Sequence, residues 1–316
     1  IIYFGLTTME IIFLLFGKMP LYDAICTSLG TAGTGGFGIK NDSFCGYNVY
    51  LQWVVTIFMI LFGVNFNAYY LLFFGHIRDA LKVEEVRYYF GIILASVVVI
   101  SVNIAHMCTG VFDAVTKAAF QIGSIITTTG FSSTDFDRWP ELSKTLLVLL
   151  MFIGACAGST GGGIKVSRIV IAVKTIGKEL NGYIHPKSVK KLTFEHKPVD
   201  HDVIRSINVY FMTYAVIFVV SMLLVSVENY DFTTNFTAVA ATFNNIGPGL
   251  SLVGPTCNFG FFNNFSKYVL MFDMLAGRLE LFPLLILFHP SIWKELFIQA
   301  DKKVKGNRKE KQNVRM

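Results

Sequence analysis

Charge is scarce in this sequence. Asp, Glu, Lys and Arg make up 15% of its 316 residues, against about 25% in ordinary soluble domains. Hydrophobic residues make up 53%, and the mean hydropathy is +0.55. The scarcity is concentrated: residues 47–74, 88–112, 145–164 and 206–227 contain no Asp, Glu, Lys or Arg. A bilayer-spanning helix needs about 20 mainly apolar residues, and each run is near or above that length. The sequence therefore reads as an all-α integral membrane protein. Cysteine is sparse too. The five (Cys26, Cys45, Cys108, Cys156, Cys257) are scattered and form no C-x-x-C pair, so neither a disulfide framework nor a zinc site is indicated. The six histidines are dispersed, and no cluster of His, Asp and Glu stands ready for acid–base chemistry at membrane depth. We expect no enzyme, no catalytic residues and no covalently bound cofactor. An initiator Met and a signal-peptide n-region are also missing at Ile1, which already lies in an apolar stretch; the expectation is a fragment or processed product.

The charge that is present is unevenly placed. Segments 78–87, 165–205 and 294–315 hold 20 of the 27 Lys and Arg residues. The stretches between them carry Asp23, Asp42, Asp113, Asp135, Asp137, Glu141, Glu228 and Asp231 with few bases. That alternation follows the positive-inside rule and places the basic segments in the cytoplasm of a multi-pass plasma-membrane (inner-membrane) protein. The net charge of +6 is then topology, and no nucleic-acid partner is implied.

A repeat runs through the chain. Three times an apolar helix is followed by a shorter amphipathic piece, a Gly-centred loop and another apolar helix. The short pieces begin at Leu21, Val111 and Asp231, and the loops read Thr34-Gly35-Gly36-Phe37, Thr128-Thr129-Gly130-Phe131 and Asn245-Ile246-Gly247-Pro248. Pieces of about 12–16 residues are too short to cross a bilayer and fit re-entrant helices. Irregular backbone at membrane depth is tolerated only where it is buried in protein or lines a water-filled cavity, so three such loops point to a pore lining. The expected units are 1–75, 76–178 and 202–290, with a cytoplasmic linker at 179–201 and a basic tail at 291–316.

A potassium filter replaces the ion's water with backbone carbonyl oxygens, and glycine suits such a loop. The candidate filter residues are Thr34, Gly35, Gly36, Thr128, Thr129, Gly130, Asn245, Ile246 and Gly247, with potassium as the ion they would hold. The re-entrant helices would aim their negative C-terminal ends at the cation. Asp42, Asp135, Asp137 and Glu141 lie just beyond the loops, where they either concentrate cations or form ordinary solvated surface. A second feature, Gly158-Ser159-Thr160-Gly161-Gly162-Gly163, interrupts the exit helix of the unit 76–178. It fails as a phosphate-binding loop, because Ile164 separates Gly163 from Lys165 and Val166 stands where Ser or Thr is required. It reads instead as an unwound intramembrane gate. Arg278 in the last spanning helix is expensive at membrane depth. It is expected either to pair with Asp273 or Glu280 or to act as a positive barrier under the filter.

Taken together, residues 32–37, 126–131 with Asp135-Phe136 and Trp139-Pro140, 158–165, 244–249 and 275–280 resemble the Trk/Ktr superfamily of potassium-uptake proteins, specifically the TrkH type. The resemblance covers nearly the whole chain in the family's order. It implies helix–pore-loop–helix units around a pseudo-fourfold potassium pore, a glycine-rich gate, and an Arg beside it that corresponds to Arg278. It also implies a homodimer in the lipid bilayer with a cytoplasmic nucleotide-binding regulatory subunit. The family pattern has four units and three are found here, the first being the one expected to be absent. A cation-coupled secondary transporter, carrying potassium with sodium or protons, is the alternative to a channel-like pore.

Overall fold

The computed structural model describes residues 2–186, 191–195, 197–279, 281–287 and 290. The expected tail at 291–316 and Glu280 lie outside the described residues. Two compact units are present, residues 1–278 and 279–316.

The first unit is helical apart from one short hairpin. Helix α1 (Ile2–Phe16) leads to the short α2 (Leu21–Ala32), then to α3 (Val49–Phe62) and α4 (Phe66–Phe73). After α5 (Ile77–Lys82), the long α6 (Glu84–Ile104) leads to α7 (Val111–Ile126), α8 (Glu141–Met151) and α9 (Val166–Ile184). The hairpin of β1 (Thr193–Phe194) and β2 (Lys197–Pro198) pairs Phe194 with Lys197. The long α10 (His201–Val225), the short α11 (Phe232–Phe243) and α12 (Asn264–Leu279) follow. The described part of the second unit contains α13 (Leu281–Leu287). A helix, a shorter helix and a loop thus recur three times, and the helix that follows is broken after the first two loops, between α3 and α4 and between α8 and α9. The short members α2, α7 and α11 have 12, 16 and 12 residues, the lengths expected of re-entrant helices.

Among the described residues, α6 with its 3-10 extension and α10 are long and apolar enough to cross a bilayer. The apolar run 47–74 is not one straight helix, because α3 and α4 meet at an angle of 95°. The break has a visible cause. Leaving a helix strands its last carbonyls, and here each finds a donor from elsewhere in the fold. Ile60 O accepts from the Tyr89 hydroxyl and Leu61 O from the Tyr69 hydroxyl. Phe62 O accepts from the Thr160 hydroxyl and Gly63 O from the Cys156 N–H. Asn65 then caps α4 by accepting from the Asn67 N–H.

The core lies behind the loops. Phe44, Phe120 and Phe131 are fully buried and meet edge to face or tilted, with ring centroids 5.0–5.5 Å apart. They join Leu14, Val55, Met59 and Phe62 in one cluster that ties the first loop to α7. The helices' outer faces carry large exposed apolar side chains such as Leu94, Val102, Val216 and Leu223, as lipid contact requires.

Candidate functional site

Each short helix ends in the same way. In α2, the Gly35 N–H donates to Gly30 O and the Thr34 N–H to Thr31 O. In α7 the corresponding donors are Thr129 to Ser124 O and Thr128 to Ile125 O, and in α11 they are Ile246 to Ala241 O and Asn245 to Thr242 O. This is the Schellman cap, whose first residue beyond the helix adopts the left-handed conformation. Thr34, Thr128 and Asn245 do so, with φ of 49°, 56° and 57°. The third loop residues Gly36, Gly130 and Gly247 also have positive φ, of 64°, 91° and 107°, while the middle residues do not. Alternating handedness turns successive peptide planes over, so N–H groups gather on one side and carbonyls on the other. All nine expected filter residues therefore sit in one recurring backbone conformation that can present carbonyl oxygens to a cation.

The loops also touch in order. A Cβ on Gly36 would lie 2.0 Å from Thr129 O, and one on Gly130 would lie 2.0 Å from Ile246 O. Only glycine permits this approach. At Gly247 an added Cβ meets nothing within 4 Å. The three loops form an arc whose flank, between the first and third loops, opens into a cavity of about 740 Å³ lined by Thr34, Phe37, Asn245, Met274 and Arg278. At the outer end of the loops, the Ser251 N–H donates to Asp137 Oδ1 at 2.9 Å. Asp135 accepts from the Asp137 N–H and pairs with Arg138 at 3.0 Å. Asp135 and Asp137 thus brace the loops rather than standing as free surface charge.

Beside the feet of the three loops lies the segment between α8 and α9. Its stem is paired by Gly154 N–H to Ile164 O at 2.7 Å and Val166 N–H to Ala155 O at 3.2 Å. Lys165 Nζ closes its tip by donating to Gly161 O. The tip touches the first and second loops directly, since the Gly162 N–H donates to Thr128 Oγ1 at 2.7 Å and Thr34 Oγ1 donates to Thr160 O at 3.1 Å. Arg278 completes the arrangement. Its guanidinium donates to Thr34 Oγ1 at 3.0 Å, Thr160 O at 3.2 Å and Gly33 O at 2.9 Å. The expected pairing of Arg278 with Asp273 does not occur. Asp273 is fully buried and instead accepts from the Ser221 hydroxyl at 2.6 Å.

With that geometry in hand, comparison with known proteins is direct. A sequence profile for the family described as TrkH, cation transport protein, matches residues 2–295. The chain belongs to the TrkH family of cation transport proteins. It is 35% identical to the Trk system potassium uptake protein TrkH of Salmonella typhimurium, over 93% of this chain and 62% of the relative. It is 33% identical to the Trk system potassium uptake protein TrkG of Escherichia coli, over 87% of this chain and 57% of the relative. The crystal structure of the potassium transporter TrkH from Vibrio parahaemolyticus superposes with a TM-score of 0.86 at 35% identity, covering 92% of this chain and 63% of that one. The chain spans about three-fifths of the length of these relatives.

Family membership confirms a helical, multi-pass membrane fold. Thr34 and Thr128 are β-branched residues at positive φ, which is unusual and costs about 1–3 kcal/mol per site. Glycine would remove that strain but also the hydroxyls that reach Arg278 and the Gly162 N–H. Sequence reasoning gave no role to Gly277, where an added Cβ would sit 2.0 Å from Phe243 O. Its bareness brings α12 against the third loop, where Asn245 Nδ2 donates to Met274 O at 3.0 Å. A glycine one position before a membrane-depth arginine was the sequence signal available for it.

Proposed function

We propose that this chain supplies three quarters of a potassium-uptake pore. The filter is formed by Thr34, Gly35, Gly36, Thr128, Thr129, Gly130, Asn245, Ile246 and Gly247, and residues 158–163 with Arg278 form the gate. The observation that carries this reading is the threefold recurrence of one left–right–left backbone at the ends of three short helices, with an arginine and a glycine-rich loop directly below. Carbonyls on such a backbone replace the water of a dehydrated potassium ion, and the negative ends of α2, α7 and α11 favour a cation without a fixed carboxylate. The guanidinium, held by three oxygens, places a positive charge on the exit path and opposes cation passage until the loop moves.

In this reading residues 1–75, 76–178 and 202–290 are successive pore units, and the basic segments face the cytoplasm in contact with lipid headgroups. A homodimer with a nucleotide-binding regulatory subunit on that face is part of the same proposal. It is supported by the sequence resemblance and by the basic residues gathered in the segment 165–205.

The test is rubidium uptake by cells that lack their own potassium uptake, using the full natural polypeptide. Uptake with preference for rubidium over sodium is expected, and Gly130→Asp should abolish that preference. A well-folded Gly130→Asp protein with unchanged preference would remove Gly130 from the filter. A current reversal potential that follows the potassium gradient alone supports a pore, whereas one that also follows sodium or pH supports coupled transport.

A further inference from the structure

The gate loop is held from below by a residue that lies in none of the pore motifs. Glu85 is the second residue of α6 and is only 2% exposed. Its Oε1 accepts from the Ala157 N–H at 2.6 Å and from the Ser167 N–H at 3.1 Å. Its Oε2 accepts from Asn65 Nδ2 at 3.2 Å. Ala157 begins the loop on the α8 side, and Ser167 lies just past its return, in the first turn of α9. One carboxylate therefore ties the two ends of the gate loop together and fastens both to the break between α3 and α4.

The chemistry of the position fits this task. The first N–H groups of a helix have no partner within it, and Lys165, the residue that should cap α9, makes no side-chain cap. Glu85 takes that place from a different helix. It also sits in the first turn of α6, whose own N-cap, Val83, makes no side-chain cap. Two positive helix ends and the Ala157 N–H thus converge on one buried carboxylate. Bonds of this kind, with a charged acceptor and backbone donors, are short and roughly twice as strong as neutral ones. The Phe66 N–H also donates to Gly158 O at 3.3 Å, closing a second link beside the first.

We propose that Glu85 is the positioning residue of the gate loop: its carboxylate fixes the loop's two ends, so that the tip stands under the filter in the closed state. The inference rests on reading residues 158–163 as the gate, but not on the identity of the ion. Asn65 is its reciprocal partner. The Asn65 amide donates to Glu85, and its carbonyl oxygen accepts from the Asn67 N–H. Exchanging the two functional groups preserves the pattern. Glu85→Gln alone sets two amide donors against each other, and Asn65→Asp alone sets two carboxylates together. Glu85→Gln with Asn65→Asp restores one donor facing one acceptor.

Two readouts test this, one of which does not depend on transport. Cys156 is buried at the base of the loop, so its alkylation by N-ethylmaleimide, followed site by site with peptide mass spectrometry, reports loop release. The exposed Cys45 and Cys257 serve as internal references. Resting rubidium flux through proteoliposomes containing the full natural polypeptide reports the gate. Each single substitution should speed Cys156 labelling by about tenfold, the effect of losing one charge-assisted bond. Each should also raise resting flux with unchanged preference for rubidium over sodium, and the double substitution should return both values toward wild type. Glu85→Ala should match or exceed Glu85→Gln; if it fails to fold, the isosteric singles carry the test. Unchanged labelling in the singles, or no recovery in the double, would overturn the proposal. Faster labelling with unchanged flux would uphold the hold of Glu85 on the loop and overturn the gate reading beneath it.

Discussion

Replacing Gly277 with Ala should open the proposed gate without substituting the arginine. In a free helix the change is favourable by about 1 kcal/mol. Here the new methyl would lie 2.0 Å from Phe243 O and 2.4 Å from Asn245 Nδ2. A carbon approaching a carbonyl oxygen stops near roughly 3.3 Å, so about 1.3 Å of movement is required. Phe243 ends α11 in the buried core, whereas α12 presents exposed Met271, Met274 and Leu275 on its outer face, so α12 is the element that yields. Arg278 is the next residue and moves with it. Its bonds of 2.9, 3.0 and 3.2 Å would all stretch past the limit of about 3.5 Å at which hydrogen bonding is lost. Charged hydrogen bonds contribute roughly 1.5–3 kcal/mol each. With the guanidinium partly in water, the sum is discounted to about 1–3 kcal/mol. That corresponds to a change of about 5–150-fold in the closed-to-open ratio. The assay is resting rubidium efflux from proteoliposomes, with Arg278→Ala beside it. Gly277→Ala should raise efflux toward the level of Arg278→Ala, and the double substitution should add little, because both act through one contact. Wild-type efflux from a well-folded Gly277→Ala protein, or full additivity in the double, would refute the reasoning.

Thr128→Val keeps the branched shape but leaves the buried Gly162 N–H without its acceptor, costing about 1–3 kcal/mol. Its unfolding temperature should fall and its resting flux rise, while Thr128→Ser stays near wild type on both measures. Asp231 caps α11, and its hydrogen bonds from the Thr234 hydroxyl and N–H hold its carboxyl below the ordinary range. A depressed folded-state value means that the stabilisation is full above the unfolded value, about 3.9, and is lost as pH falls through the folded one. Asp231→Asn keeps a cap without the charge, so its unfolding temperature should lie below wild type at pH 7, with the gap narrowing as pH falls below about 4. A constant gap across that range would assign the effect to the cap alone.

The sequence made the three loops legible because glycine marks them three times at one place in a repeating unit. The interruption between α8 and α9 was legible for a related reason, since Gly158 and Gly161–Gly163 break an uncharged run that would otherwise continue. What escaped notice depends on partners distant in the chain. The run 47–74 carries no charge, and it breaks at Gly63 because Tyr89, Cys156 and Thr160 supply donors from 29 to 98 positions away. Glu85 sits in the segment 78–87, whose arginines and lysine read as topology and hid a carboxylate turned inward. Of the two roles expected for Arg278, pairing with Asp273 is not found, and its guanidinium is held by carbonyl and hydroxyl oxygens. Composition counts charges, but it cannot see that a loop's backbone has enough acceptors to hold a guanidinium.

The Schellman caps have one more consequence. The three loops share a conformation but not a spelling: Thr-Gly-Gly, Thr-Thr-Gly and Asn-Ile-Gly. Handedness is fixed at the first and third letters and left ordinary at the second. In the proposed pore, the middle residue is therefore a free register in which the loops can differ from one another while their carbonyls keep their pitch. A pore assembled from unequal parts can in this way drift apart in sequence, each quarter acquiring its own neighbours, and still offer an ion one nearly uniform circle of oxygen.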